Sequence, residues 1–462
     1  MKDRDTDATE SATATGAGRT DLSDRRRRIQ RRIVRAAPRL LRLDARRREF
    51  GRRLAGRPHV VDFFHQVDDP YSELAMQAID PLLDRYDIEF RFHLVSPADA
   101  LHVPEPDLLA RYARRDCAAV APHYGLSFPE AADPPKTDGV SLVQRMLAGL
   151  TEDPRFAPLA RKAGRALWHG EREALERLAE RIPLASEADV AAALSRGNEL
   201  RRRRRHYSGG MFWYAGVWYW GVDRLHHLER RLIDLGAARG ERRTPRFDRP
   251  PLDAGTTPND GRLALEIFPS LRSPYTAMIF ERSLELAASV GVPVTILPVM
   301  PMVMRGVPAP SAKATYIVTD TLREAAHIGA PFGDIYDPIG RAVERGFSLW
   351  PFARSKGRGA EYIAAFLRAA FVEGRPTGTD SGLRAVVEAA GLSFEEAQEH
   401  LDGDDWREEL EANRRLMYDE LGLWGVPSYR LRGPAGEPDL CAWGQDRLWL
   451  VAAEIRRRLA AG

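Results

Sequence analysis

The sequence predicts an α/β protein built from two tandem copies of one unit, each carrying an inserted helical subdomain. Two observations predict it. A strand–helix–strand pattern opens near Pro58 and again near Gly261, and each leads into a helical block and a strand–strand–helix close. The two stretches also keep register. At an offset of 204 residues, Asp69-Pro70-Tyr71 falls on Ser273-Pro274-Tyr275, Tyr112 on Tyr316, Asp116 on Asp320 and Gly125 on Gly329. After extra residues in the second stretch, Trp220-Gly221-Val222-Asp223-Arg224-Leu225 falls on Trp443-Gly444-Gln445-Asp446-Arg447-Leu448. A register held this long is the mark of an internal repeat.

Residues 1–24 are small and polar and are expected to be disordered, since they bury too little to offset ordering entropy. Ser23 or Asp24 is placed to cap a helix beginning just after it. Residues 25–57 are Arg-rich and read as one or two amphipathic helices broken near Pro38, with Ile29, Ile33, Val34, Leu40, Leu41 and Leu43 among the charges. The expectation is that the apolar stripe lies on the protein body; contact with a polyanion or a membrane surface is the alternative. Residues 58–236 form the first copy. Val60, Val61, Phe63 and Phe64 read as a strand, Leu74, Ile79, Leu82 and Leu83 as one helix, and Ile88, Phe90 and Phe92 as a second, parallel strand. Residues 237–261 are rich in Pro, Gly and charge and read as a linker. Residues 262–462 form the second copy.

Lys+Arg number 69 and Asp+Glu 66, for a net charge of +3, which commits the whole chain to neither nucleic acid nor an anionic surface. The two cysteines, Cys117 and Cys441, exclude a disulfide scaffold, a cysteine-based zinc cluster and a CxxC redox centre. No apolar run approaches the ~20 residues of a membrane span. The opening residues lack an apolar signal region, so a cytoplasmic location is expected. His102, His123 and the pair His226-His227 read as isolated, and no metal is assigned.

Several motifs of the second copy carry a resemblance: SPYTAMIF after a strand, AKATYIVTDTLREAAHIGAPF, LWGVPSY and WGQDRLWLV. Together and in this order they resemble the family of 2-hydroxychromene-2-carboxylate isomerases and kappa-class glutathione transferases, within the DsbA-like thioredoxin group. The resemblance covers 261–460 well and 58–235 more loosely. It implies two tandem thioredoxin-like domains and a glutathione-dependent isomerase or transferase acting on an electrophilic, aromatic small molecule through the second domain. Glutathione, or another low-molecular-weight thiol, is the implied cofactor.

Ser273 precedes a helix that starts near Pro274. A hydroxyl and free N–H groups at a helix start favour a thiolate, and a plain N-cap serine is the alternative. The resemblance makes Ser273 the catalytic group. It also implies a cis Val426–Pro427 bond that holds the thiol's backbone, and Gln445 and Asp446 holding its γ-glutamyl end; Asp446 reads equally well as a simple cap. Lys313, Tyr316, Asp320 and Arg323 share one helix face, which reads as a solvated charged face, with Lys313 also able to meet an anionic ligand. Arg272 is available to a thiolate. The first copy departs from the pattern. Asp69 replaces the serine, which would raise a thiol's pKa, and Gly210 stands where the proline would be. No thiol site is therefore expected there, and a His65–Asp69 acid/base pair is the less favoured use of those residues. The cluster Phe212, Trp213, Tyr214, Trp218, Tyr219 and Trp220 reads as packing between or within copies.

Partners are expected to be a small-molecule substrate and no nucleic acid, with the two copies pairing inside one chain or with a homodimer. The rival readings are a non-catalytic adaptor and a disulfide oxidoreductase, the latter opposed by the missing CxxC.

Overall fold

A computed structural model describes residues 24–130, 133–241, 243–434 and 436–460. In chain order the larger elements are α1 (Asp24–Leu54), β1 (His59–His65), α2 (Pro70–Gln77), α3 (Ile79–Arg85), β2 (Ile88–Leu94), α4 (Pro106–Val120), α5 (Thr137–Leu147), α6 (Phe156–Trp168), α7 (Arg172–Ala179), α8 (Glu187–Arg203), β3 (Met211–Tyr214), β4 (Val217–Trp220) and α9 (Leu225–Asp234). Then come β5 (Ala264–Phe268), α10 (Pro274–Ser289), β6 (Val294–Ile296), α11 (Ser311–Ile328), α12 (Arg341–Ser348), α13 (Trp350–Ser355), α14 (Gly359–Phe371), α15 (Asp380–Ala389), α16 (Phe394–Ala397), α17 (Trp406–Arg415), β7 (Ser428–Arg432), β8 (Leu440–Trp443) and α18 (Leu448–Ala460).

The strands make two four-stranded sheets with the same plan, β2-β1-β3-β4 and β6-β5-β7-β8. In each, the first pair is parallel across a helical crossover and the remaining pairs are antiparallel. Each sheet has its own core. Phe63, Phe212 and Leu228 belong to one, and Leu265, Phe366 and Tyr429 to the other. Helices α4–α8 and α11–α17 are the helical insertions.

Local chemistry explains two departures from the sequence expectation. The first crossover helix is divided at Ala78 into α2 and α3. Pro81 has no N–H for an internal helical bond, and starting α3 at Ile79 places that proline in a first turn, where none is needed. By contrast, α1 runs unbroken past Pro38, which removes one donor without ending the helix. Ser23 and the tail before it lie outside the described residues.

The expectation that the apolar stripe of α1 lies on the body is overturned. Val34 is buried, but Leu40, Leu43, Phe50 and Leu54 are exposed, at 61%, 59%, 69% and 79%. The body is met mainly by polar side chains. Arg31 pairs with Asp334 and donates to Glu373 O at 3.3 Å, and Arg53 reaches Leu235 O at 3.5 Å. The helix is thus a strap across both halves.

The stretch 237–261 is also tied down. Its Arg246 and Phe247 N–H groups donate to Glu229 at 2.7 and 2.8 Å, and Phe247 is 1% exposed. Among the described residues no helix is long and apolar enough to cross a membrane.

Candidate functional site

Ser273 caps α10. Its Oγ accepts the Thr276 N–H at 3.1 Å and donates to Val426 O at 3.3 Å. The Val426–Pro427 peptide is cis. The loop comes this close because Gly425 lies against the Trp443 indole: a Cβ there would sit 2.0 Å from Trp443 Nε1. Serine and proline loop thus meet in space although 153 residues separate Ser273 and Val426.

Both line a cavity of about 440 Å³ between the two halves. The C-terminal half gives Met302, Val307, Ile317 and Phe371, and the N-terminal half closes the space with Tyr207 and Trp220. Lys313 also lines it. Its Nζ donates to His102 O at 3.0 Å, and burial pushes its pKa down. Ser270 Oγ and Gln445 Oε1 line the same cavity, buried and without a hydrogen-bond partner among the described residues. Buried polar atoms of this kind are normally satisfied, and these two are open to a polar ligand or water entering the cavity. A wider cleft of about 1070 Å³ crosses β2, α6 and α8, but it contains neither Ser273 nor the proline loop.

Not every expected ligand is free. Arg272 is held by Asp337 in a two-point pair at 2.7 and 2.8 Å, so it is not a spare cation beside the serine. Asp446 faces Arg224 at 2.5 Å, and Gln445 Nε2 donates to Glu324 at 2.6 Å. Burial pushes the Asp446 carboxyl up, but the guanidiniums of Arg224, Arg447 and Arg249 outweigh it and hold it below its ordinary value.

The charged face of α11 is not solvated. Asp320 is 1% exposed and Tyr316 7%. Arg224 donates to Asp320 through Nε and Nη2 at 3.1 and 2.9 Å and to Asp446 through Nη1. Arg447 does the reciprocal. Its Nε and Nη2 meet Asp116 at 2.8 and 2.7 Å, and its Nη1 meets Asp223 at 2.8 Å. Tyr71 and Tyr112 donate to Asp116 at 2.8 and 3.0 Å; Tyr275 and Tyr316 donate to Asp320 at 2.9 and 3.4 Å. Each half therefore inserts one arginine between two aspartates of the other.

The histidines are not all isolated either. His226, His227 and Glu324 have ligand atoms within 4.8 Å of one another, and His227 Nε2 lies 2.5 Å from Glu324. A cation there would face Arg224 and Arg249, which already pair with Glu324, so the electrostatics oppose a metal. Sequence reasoning missed Glu324 altogether; its only signal is its position one turn after Asp320 on α11.

In the N-terminal half Asp69 caps α2 through the Tyr71 N–H at 3.1 Å, and Gly210 lies opposite with φ 62°. The equivalence of Gly210 with Pro427 holds at the hydrogen-bond level: Gly221 N–H donates to Gly210 O as Gly444 N–H donates to Pro427 O. Burial pushes the Asp69 carboxyl up to about 7. His65 bonds to Ser72 Oγ at 2.8 Å rather than to Asp69, and burial pushes it down to about 3, so no acid/base pair forms. Phe212, Tyr214 and Tyr219 are core, Trp220 packs 5.5 Å from Tyr316, and Trp213 stacks with Arg204 at 3.7 Å. Cys117 and Cys441 are free, and burial raises both thiols.

Residues 264–456 match the DSBA-like thioredoxin domain family, so the C-terminal part of the chain is a DsbA-like thioredoxin domain. No curated protein matches the chain. Among solved structures it is similar to a 2-hydroxychromene-2-carboxylate isomerase, at 19% identity over 42% of this chain and 95% of that one, with a TM-score of 0.34. It is also similar to a probable DsbA oxidoreductase from Streptomyces coelicolor, at 22% identity over 43% and 89% with a TM-score of 0.33. The cytosolic disulfide reductase DsbM from Pseudomonas aeruginosa is similar at 22% identity over 42% and 99%, with a TM-score of 0.33, and a second structure of it holds GSH.

Proposed function

We propose that the chain is a tandem pair of thioredoxin-like domains and a glutathione-dependent isomerase or transferase, with its site at Ser273. The observation that carries this reading is the approach of Ser273 Oγ to the carbonyl of the cis Val426–Pro427 peptide on the wall of an apolar cavity.

The thiol of glutathione, or of another small cellular thiol, would lie at the start of α10. Its cysteinyl backbone would pair with the proline loop as a short β-strand does. The Ser273 proton, now on Val426 O, turns to the sulfur. The Thr276 N–H stays on the Ser273 oxygen and polarises its O–H. Hydroxyl donor and helix dipole together favour thiolate over thiol. The thiolate adds to an electrophilic carbon of an aromatic substrate held by the apolar walls. It then leaves after isomerisation, or stays as a conjugate while the carbon's leaving group, such as chloride, departs with the bonding pair. Lys313 is placed to meet a carboxylate on either ligand. With Cys117 buried, Cys441 half-buried and no CxxC, dithiol exchange is the weaker reading.

Titration calorimetry of the full chain with glutathione, alongside turnover of a chloronitrobenzene, tests the proposal. Binding in the micromolar-to-millimolar range that Pro427→Ala weakens, with turnover that Ser273→Ala lowers about a hundredfold or more, is expected. No binding of glutathione or any other small thiol would leave a non-catalytic adaptor.

A further inference from the structure

We propose that the outward face of α1 docks on an anionic lipid bilayer. Among the described residues, five of the seven large exposed apolar side chains, Leu40, Leu41, Leu43, Phe50 and Leu54, belong to this one helix. At about 100° per residue, Leu40, Leu43, Arg47, Phe50 and Leu54 form one stripe along the helix. Val34, Ala45 and Glu49 fall on the opposite side. That opposite side is the one turned to the body: Val34 is 4% exposed, Arg31 holds Asp334, and Arg48 lies against Gly216, where a Cβ would be 2.8 Å from its Nε. The helix is strapped down by its polar face and presents its apolar one, the reverse of an ordinary surface helix.

Charge selects the occupant. The helix holds 14 arginines against Asp24, Asp44 and Glu49, a net +11. The rest of the chain, from a total of +3, is therefore −8. An apolar stripe flanked by arginine is complementary to acyl chains beneath anionic headgroups. A second copy of the helix would bring +11 against +11 and bury Arg47 in the seam. At a bilayer surface Arg47 extends its guanidinium to the headgroups while its stem stays among the leucines. A nucleic acid would satisfy the arginines and leave Leu43, Phe50 and Leu54 in water.

Flotation of the full chain with phosphatidylcholine vesicles, with and without phosphatidylglycerol, tests this. Binding is expected to the anionic vesicles only, and to weaken with salt. The triple variant Leu43→Gln, Phe50→Gln, Leu54→Gln should lower the partition coefficient at least about tenfold, since burying even one such side chain is worth about that factor. Its melting temperature should hold, because all three side chains are exposed. Arg39→Gln with Arg46→Gln and Arg47→Gln should weaken binding to anionic vesicles as well. No binding to anionic vesicles at low salt, or equal binding by the triple variant, overturns the proposal. So does a dimer in sedimentation velocity that the triple variant dissolves, or a DNA complex that displaces the vesicles.

Discussion

At the start of α2 an aspartate faces a glycine, and at the start of α10 a serine faces a cis proline. The surrounding backbone is matched down to the glycine N–H that donates into each loop. The chemistry is opposite. The serine keeps a hydroxyl that can donate to an anion. The aspartate is a carboxylate that burial holds near neutrality, at about 7, and that repels an anion once charged. On the proposed function, these two side chains on one scaffold would decide which half can stabilise a thiolate. The other half supplies a wall of the cavity and the ion pairs that hold it in place.

The largest expected effect tests the pairing of the halves. Arg447→Ala strands the buried Asp116 and Asp223 and should cost about 3–5 kcal/mol in chemical denaturation. Arg224→Ala leaves Asp320 with Arg323 and Asp446 with a longer contact to Arg447, and should cost less. A loss from both would support the reciprocal arrangement, and a loss from one alone would break it. Next, Ser273→Ala should lower kcat by about a hundredfold or more. Thiol affinity should change far less, and the lost cap should cost about 1 kcal/mol of stability. Asp69→Ala is the control, with kcat within about twofold.

The third effect is a pH dependence. In the folded chain Asp69 holds a proton up to about pH 7, whereas an unfolded aspartate releases it near pH 4. Between these values the folded state binds more protons, so stability falls as pH rises through the window and stays lower above it. Asp69→Asn keeps the cap and should raise stability at pH 8 by about 1–3 kcal/mol while flattening the melting-temperature curve. Glu73, which burial also raises to about 7, keeps part of the slope. The smallest effect is that of Lys313→Met, which should raise KM for a carboxylate-bearing ligand about three- to tenfold with kcat little changed.

Much of the site was legible because its signals are local. Ser-Pro before an apolar helix reads as a cap, and alternation in Ile88, Phe90 and Phe92 reads as a strand. The match of Gly210 to Pro427 followed from spacing around one tight loop. What was not legible depends on distant residues. Asp116 and Arg447 are 331 positions apart, and neither neighbourhood announces burial. Their presence in both halves was visible, and repeated Asp beside repeated Tyr is the clue that a polar cluster is being kept inside. The orientation of α1 was misread because amphipathicity gives a stripe but not what it faces; Arg31 and Arg53 decide that by finding Asp334 and the Leu235 carbonyl on the body.

The crossed arginines have a consequence for anyone wishing to cut the molecule. Expressed alone, the C-terminal half would leave Arg447 with Asp446 at 3.8 Å as its nearest acid and Asp320 with Arg323 in place of two arginines, and a graft from a relative would need the same four aspartates in the same places. The two halves can therefore change their surfaces independently, but along this seam they must vary together.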